Sequence, residues 1–187
     1  MKRVLVLVDG FNLFHAISDL NPTMTDINIH ALANRLIRRQ HEQIVGIDYF
    51  SSLITHLNKQ TISNQESYLE NLRSTGVRVV LGRFRPRSQE CPRCGLVKIS
   101  HVEKETDVNL ASTLVAKVFE EACDKVLLFS ADSDMRGAIS AVKAKYPKVP
   151  IWLVSTAKYL QPVHRSLGKI VDGQIRLNQQ MINQHLF

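Results

Sequence analysis

The sequence has no apolar run approaching the roughly 20 residues that a membrane helix requires. Only three of its 187 residues are cysteine, too few for the disulfide framework of a secreted domain. The opening MKRVLVLVDGF carries basic residues at Lys2 and Arg3, but the apolar run behind them is too short for a signal peptide and no cleavage site follows. These absences point to a cytoplasmic protein without a membrane partner. With eight glycines and six prolines there is no low-complexity tract, and no internal repeat is visible. An apolar share of 44% against a charged share of 22% is enough to bury a core, which argues against disorder. Acid is short relative to base: 17 Asp and Glu face 24 Lys and Arg, leaving a net charge of +7. That excess favours a polyanionic partner, nucleic acid first.

What is present is alternation. RVLVLV (3–8), QIVGIDYF (43–50), VRVVLG (77–82), DKVLLFS (124–130) and VPIWLVS (149–155) predict buried strands, with a short strand at GKIVDG (168–173). Helical patterns fall between them. NIHALANRLIRRQH (28–41) carries the stripe Ile29, Leu32, Leu36 and Ile37, and NQESYLENLRSTG (64–76) closes on Gly76. In TDVNLASTLVAKVFEEA (106–122), Val108, Leu110, Ala111, Leu114, Val115 and Val118 form one broad apolar face; DMRGAISAVKAK (134–145) follows the fourth strand and a last helix follows the fifth. Strands alternating with helices predict an α/β fold, a doubly wound three-layer sandwich with a mainly parallel sheet. The expected domain spans 1–173. A polar insertion at 83–104 interrupts it, and an amide-rich extension, 174–187, is read as a terminal helix or a homodimer contact.

Ligands of open parallel sheets bind beyond the carboxyl ends of the strands, where strand order reverses. Asp9 ends the first strand, Asp132 and Asp134 follow the fourth, and Asp107 opens the helix before it. Asp9, Asp107 and Asp132 each stand near a helix start, and each alone is well explained as an N-cap. Together they would repel one another and raise one another's pKa, unless a divalent cation neutralises them. Mg²⁺ and Mn²⁺ prefer oxygen ligands and suit such a loose carboxylate cluster, and the chemistry such a site supports is phosphodiester hydrolysis.

In order and spacing, VDGFNLFH, EKETDVNLA and FSADSDM resemble the NYN domains, a branch of the PIN-like nucleases (the LabA-like group). The resemblance covers roughly residues 3–172. It implies a metal-dependent ribonuclease acting on single-stranded or structured RNA, with Asp9, Asp107, Asp132 and Asp134 around Mg²⁺ or Mn²⁺ and Asn12 orienting a water or phosphate. Ser130 and Ser133 match hydroxyl positions of the family's SGDSD motif, which reads SADSD here. Ala131 in the glycine position is tolerated unless the turn needs a positive φ. Thr106 and Glu105 also match the family motif, Glu105 being either a fifth acid or a solvated charge. The other reading of such a chain is a catalytically weak RNA- or protein-binding regulatory module.

The insertion contains CPRCGLVKISH. Cys91, Cys94 and His101 make a candidate Zn²⁺ knuckle one ligand short. The fourth ligand is open, among His56, an acid and a second chain, and a free thiol pair is the alternative. Cys123 is expected in the core. Arg83, Arg85, Arg87, Arg93 and Lys98 make the same segment a candidate phosphate-gripping arm, against the plainer reading of a solvated basic loop. Phe11, Phe14, Tyr49 and Phe50 are expected to pack in the core, and His15 is a weaker candidate for the cleft.

Overall fold

A computed structural model describes residues 1–21, 26–163 and 166–187, with the side chains of 161–163 outside the description. The chain runs β1 (Lys2–Asp9), α1 (Gly10–Ser18), α2 (Ile29–Leu36), β2 (Glu42–Leu53), α3 (Lys59–Ser74), β3 (Arg78–Glu90), β4 (Val97–Lys104), α4 (Thr106–Phe119) and β5 (Lys125–Phe129). A short 3-10 turn, Ser133–Met135, leads into α5 (Arg136–Lys145), β6 (Ile151–Thr156), α6 (Ala157–Val163), β7 (Gly173–Leu177) and α7 (Gln179–Asn183). Among the described residues the strands form one sheet in the order β4-β3-β2-β1-β5-β6-β7, parallel throughout except for β4. This is the predicted three-layer α/β sandwich.

Strand β1 explains the layering. Successive side chains of a strand point to opposite faces, and both faces of RVLVLV are apolar. Val4, Val6 and Val8 pack with Leu13 and Ile17 of α1, Leu32 of α2 and Leu69 and Leu72 of α3. Leu5 and Leu7 pack on the other face with Leu110, Leu114 and Val118 of α4 and Ile139 and Val142 of α5. The chain winds from β1 to β2 in one direction and returns to β5 on the other side of β1. The topological switch point therefore lies between β1 and β5, beyond Asp9 and Phe129.

Several expectations are corrected. The insertion 83–104 is a β-hairpin, an arm made by the outer half of β3 and by β4. Strand β3 continues through Pro86 because β2 ends where Leu53 pairs with Arg83, so the missing N–H of Pro86 faces a free edge. The last strand is Gly173–Leu177, not 168–173, and it pairs with β6. Residues 174–187 hold most of β7 and a terminal helix, α7, as one of the two readings expected, and Leu177 and Ile182 are buried in the α1–α3 core. Helix α3 begins at Lys59, earlier than its apolar pattern, because Asn58 caps it by accepting the Thr61 N–H at 2.9 Å. Val108 is 69% exposed, since it stands about 200° around the helix from Leu110. Phe14 is exposed and Phe11 half-buried, whereas Tyr49, Phe50 and Cys123 lie in the core as expected.

Candidate functional site

The carboxyl end of β1 carries Asp9 on the α4–α5 side of the sheet, the side to which Leu5 and Leu7 point. Its side chain is 5% exposed. One oxygen caps α1, accepting the Asn12 N–H at 3.0 Å, and the other accepts the Ser130 hydroxyl at 3.2 Å. Capping is therefore real, but it does not account for the surroundings. Burial, with repulsion from Asp107 and Asp132 added, pushes the Asp9 carboxyl up to about 6, although the Asn12 and Ser130 bonds oppose the shift. Asp107, in the first turn of α4, is also raised, by partial burial and then by Glu103, Asp132 and Asp134. Asp132 caps the 3-10 turn by accepting the Asp134 N–H at 2.9 Å, and Asp134 lies exposed beside it. Acids from β1, β4, the start of α4 and the turn after β5 thus meet in one electrostatic neighbourhood.

The polar residues between them hold the acids in place. Ser130 is 1% exposed and fully engaged, giving its proton to Asp9 and accepting the Asp132 N–H at 3.1 Å. Sequence matching marks it for substrate, but its geometry makes it a brace between two acids. Asn12 uses its carbonyl oxygen to accept the Ala131 N–H at 3.0 Å, which ties α1 to the turn after β5. Ala131 has no positive φ, so the missing glycine costs nothing. Ser133 is exposed at the start of the 3-10 turn.

Glu103 is the acid that sequence reading missed. It accepts the Ser52 hydroxyl at 2.9 Å, and Ser52 lies 3.1 Å from the Thr106 hydroxyl. Gly82 makes this approach possible: a Cβ there would stand 2.4 Å from the Lys104 carbonyl oxygen and 2.7 Å from Ser52 Oγ. Glu105, by contrast, turns away, at φ +82° and paired with Arg83 at 2.6 Å. Reading Glu103 as the inward acid required the strand register of β4, which no sequence signal announced.

Pairing across the arm sorts its residues into two faces. Arg83, Arg85 and Arg87 alternate on β3, and Lys98 sits opposite Gln89, so all four share one face. Phe84, Pro86, Ile99, His101 and Glu103 share the other. The basic face is therefore the reverse of the one that turns toward the acids. On the acidic side Phe84 packs edge-on to Phe11 at 5.8 Å and to His56 at 4.8 Å, and His56 stacks on His101 at 4.0 Å and 9°. His15, exposed on α1, lines instead a cavity of about 430 Å³ between α1 and α3, on the opposite face of the sheet from Asp9.

The proposed knuckle separates. Cys91 and Cys94 sit at the tip of the arm, with Arg93 between them, while His101 pairs with Pro86 toward its base. His101 lies four residues beyond Val97, about 13 Å along the strand. His56 meets His101 and not the cysteines. Among the described residues no three His, Cys, Asp or Glu side chains are close enough to hold one metal ion as they stand, and no helix is long and apolar enough to cross a membrane.

Comparison with known proteins agrees with this architecture. The chain matches the NYN domain family over residues 3–167. No curated protein matches it. Its fold is similar to the crystal structure of a protein of unknown function from Vibrio parahaemolyticus, with a TM-score of 0.66 at 14% identity, covering 100% of this chain and 96% of that one. The match spans most of the sequence and includes every acid of the cluster, so the chain belongs to the NYN domain family, within the PIN-like nuclease superfamily, whose members are generally ribonucleases using divalent metals.

Proposed function

We propose that this protein is a metal-dependent endoribonuclease that hydrolyses RNA phosphodiester bonds at the acid cluster. The observation that carries the reading is that acids from four separate segments lie within electrostatic reach at one end of the sheet: Asp107 and Asp132 push Asp9 up, and Glu103, Asp132 and Asp134 push Asp107 up. An all-oxygen donor set suits Mg²⁺ or Mn²⁺, which bind through one or two carboxylates and keep several waters. A bound cation would neutralise the repulsion, polarise the phosphoryl group and lower the pKa of the attacking water.

The chain's own residues do the rest. Ser130 and Asn12 hold Asp9 against the turn bearing Asp132 and Asp134. Phe84, His56 and His101 offer aromatic surface to a base beside the acids. Arg85, Arg87, Arg93 and Lys98 draw the RNA backbone to the arm, and Ser133 is exposed for a phosphate contact. The cytoplasm is the compartment we assign, in keeping with three cysteines that are all unpaired.

The test is incubation with labelled RNA in Mn²⁺, Mg²⁺ or EDTA, beside Asp9→Asn and Asp132→Asn. Metal-dependent cleavage, lost in both variants, is the expected result; cleavage that persists in EDTA or in both variants overturns the mechanism. The absence of a closed three-ligand set among the described residues favours one alternative, an RNA- or protein-binding regulatory module of weak turnover. It would bind RNA equally well with and without the metal and release no product.

A further inference from the structure

The tip of the arm takes no part in the acid cluster, and its chemistry is different. The Cys91 N–H donates to the Leu96 carbonyl and the Gly95 N–H to the Cys91 carbonyl, each at 2.9 Å. Gly95 closes the turn at φ +68°, a conformation that strains any residue with a side chain. In the turn that these backbone bonds close, the Arg93 and Cys94 N–H groups and the Cys94 thiol hold the Cys91 thiol below its ordinary value. Two thiols, Cys91 and Cys94, on one closed turn supply half of a tetrahedral sulfur site.

Nothing else among the described residues completes that site. Cys123 is buried at the opposite end of the sheet, beside Asp124 and its partner Arg3. His101 is far down the strand, and although a Glu90 carboxylate oxygen stands over the turn, 3.9 Å from a Cβ built on Gly95, no three ligating side chains gather there among the described residues. A second observation concerns the same end of the arm. Leu96, Val97 and Ile99 are 70%, 55% and 65% exposed, and Val97 and Ile99 continue the face that carries Pro86. An apolar row on a two-stranded arm with no layer over it lacks a packing partner. The half-site and the bare face share one remedy, a second copy presenting the same two features.

We propose that two copies of this chain share one Zn²⁺ between their arm tips, bound by Cys91 and Cys94 of each, with the Val97–Ile99 faces packed together. A four-thiolate zinc centre is net negative, and at each tip Arg93 and Lys98 outnumber the one carboxylate there, Glu90, and offset that charge in part. Packing through the apolar faces turns Arg85 and Arg87 outward, which keeps the basic faces of two +7 chains apart. The proposal does not depend on the nuclease reading.

The full-length protein is purified in a phosphine reductant with zinc present, and its zinc content and its mass by light scattering are measured. One zinc per two chains is expected, in a dimer that a chelator converts to monomer. Cys91→Ser and Cys94→Ser should each lose both zinc and dimer, Cys123→Ser should keep both, and Ile99→Lys should weaken the dimer at least tenfold. Cobalt substitution of the unmodified protein should give the intense visible bands of a tetrahedral thiolate site, a readout independent of how the variants fold. A zinc-free monomer, one zinc per monomeric chain, or a dimer that survives loss of both thiols each overturns the proposal.

Discussion

Replacing Asp9 by Asn tests whether the acid cluster carries a real electrostatic cost. In the folded chain the Asp9 carboxyl sits at about 6 against an ordinary 3.8, chiefly through burial. At about 1.4 kcal/mol per unit, ionising it in the metal-free protein costs on the order of 3 kcal/mol of stability, a ceiling that solvent relaxation lowers. The sign follows from the direction of the shift. A raised carboxyl leaves stability intact below the unfolded value, erodes it as pH climbs from about 4 to 6, and exacts the full cost above that. Asn keeps the cap, since it accepts the Asn12 N–H as well as Asp does, and the Ser130 hydroxyl can turn to accept from the new amide. In EDTA at pH 8, Asp9→Asn should therefore be more stable than the parent, by up to about 6–12 °C in Tm at the ~2–4 °C per kcal/mol usual for this size. Near pH 4 the difference should vanish. Excess Mn²⁺ should raise the parent's Tm at pH 8 and leave the variant unmoved. Thermal unfolding by circular dichroism, at both pH values with and without metal, reads all of this. A variant less stable than the parent at pH 8, or a gain that persists at pH 4, refutes the reasoning.

Other residues give shorter tests. Asp107→Asn, at a more exposed acid, should cut metal-dependent RNA cleavage by at least a hundredfold while moving Tm by less than about 2 °C; equal turnover would remove Asp107 from the site. Gly82→Ala should destabilise by about 1–3 kcal/mol and displace Glu103, because the new Cβ meets a backbone carbonyl that cannot step aside, and urea denaturation checks it. Lys125→Met should cost about 3 kcal/mol or more by stranding Glu42, whose carboxylate it meets at 2.9 Å with both side chains nearly buried. The double variant with Glu42→Met should recover much of that loss. Arg85→Gln with Arg87→Gln should lower the slope of log affinity for single-stranded RNA against log salt by about 1.4, at ~0.7 per lost phosphate contact. An unchanged slope in filter binding would show that the basic face does not touch the RNA.

The layers of this fold and four of its acids were legible in the sequence because each depends on local chemistry. RVLVLV is apolar on both faces, so it must be a central strand, and a carboxylate at its tip must emerge at the sheet's carboxyl edge. The same holds for Asp132 and Asp134 after LLFS, and for Asp107 at the head of an apolar helix. Features that depend on pairing between distant segments were not legible. Glu103 and Glu105 differ by two positions and look alike, and only the register of β4, with the left-handed turn at Glu105, sends one toward Ser52 and the other toward Arg83. The basic residues of the arm read as one patch, yet pleating sets Arg83, Arg85 and Arg87 back to back with Phe84 and Glu103. CPRC and His101 are near in sequence, but an extended strand spends about 3.3 Å on every residue between them, so spacing that would close a metal site in a loop opens it in a hairpin. Ser130 looks like a substrate contact until its two bonds are drawn, to Asp9 on one strand and to the Asp132 N–H on the next turn. Periodicity along the chain decides which residues are buried and where strands end; which of the exposed ones face each other is decided by register and twist, which exist only once the sheet has formed.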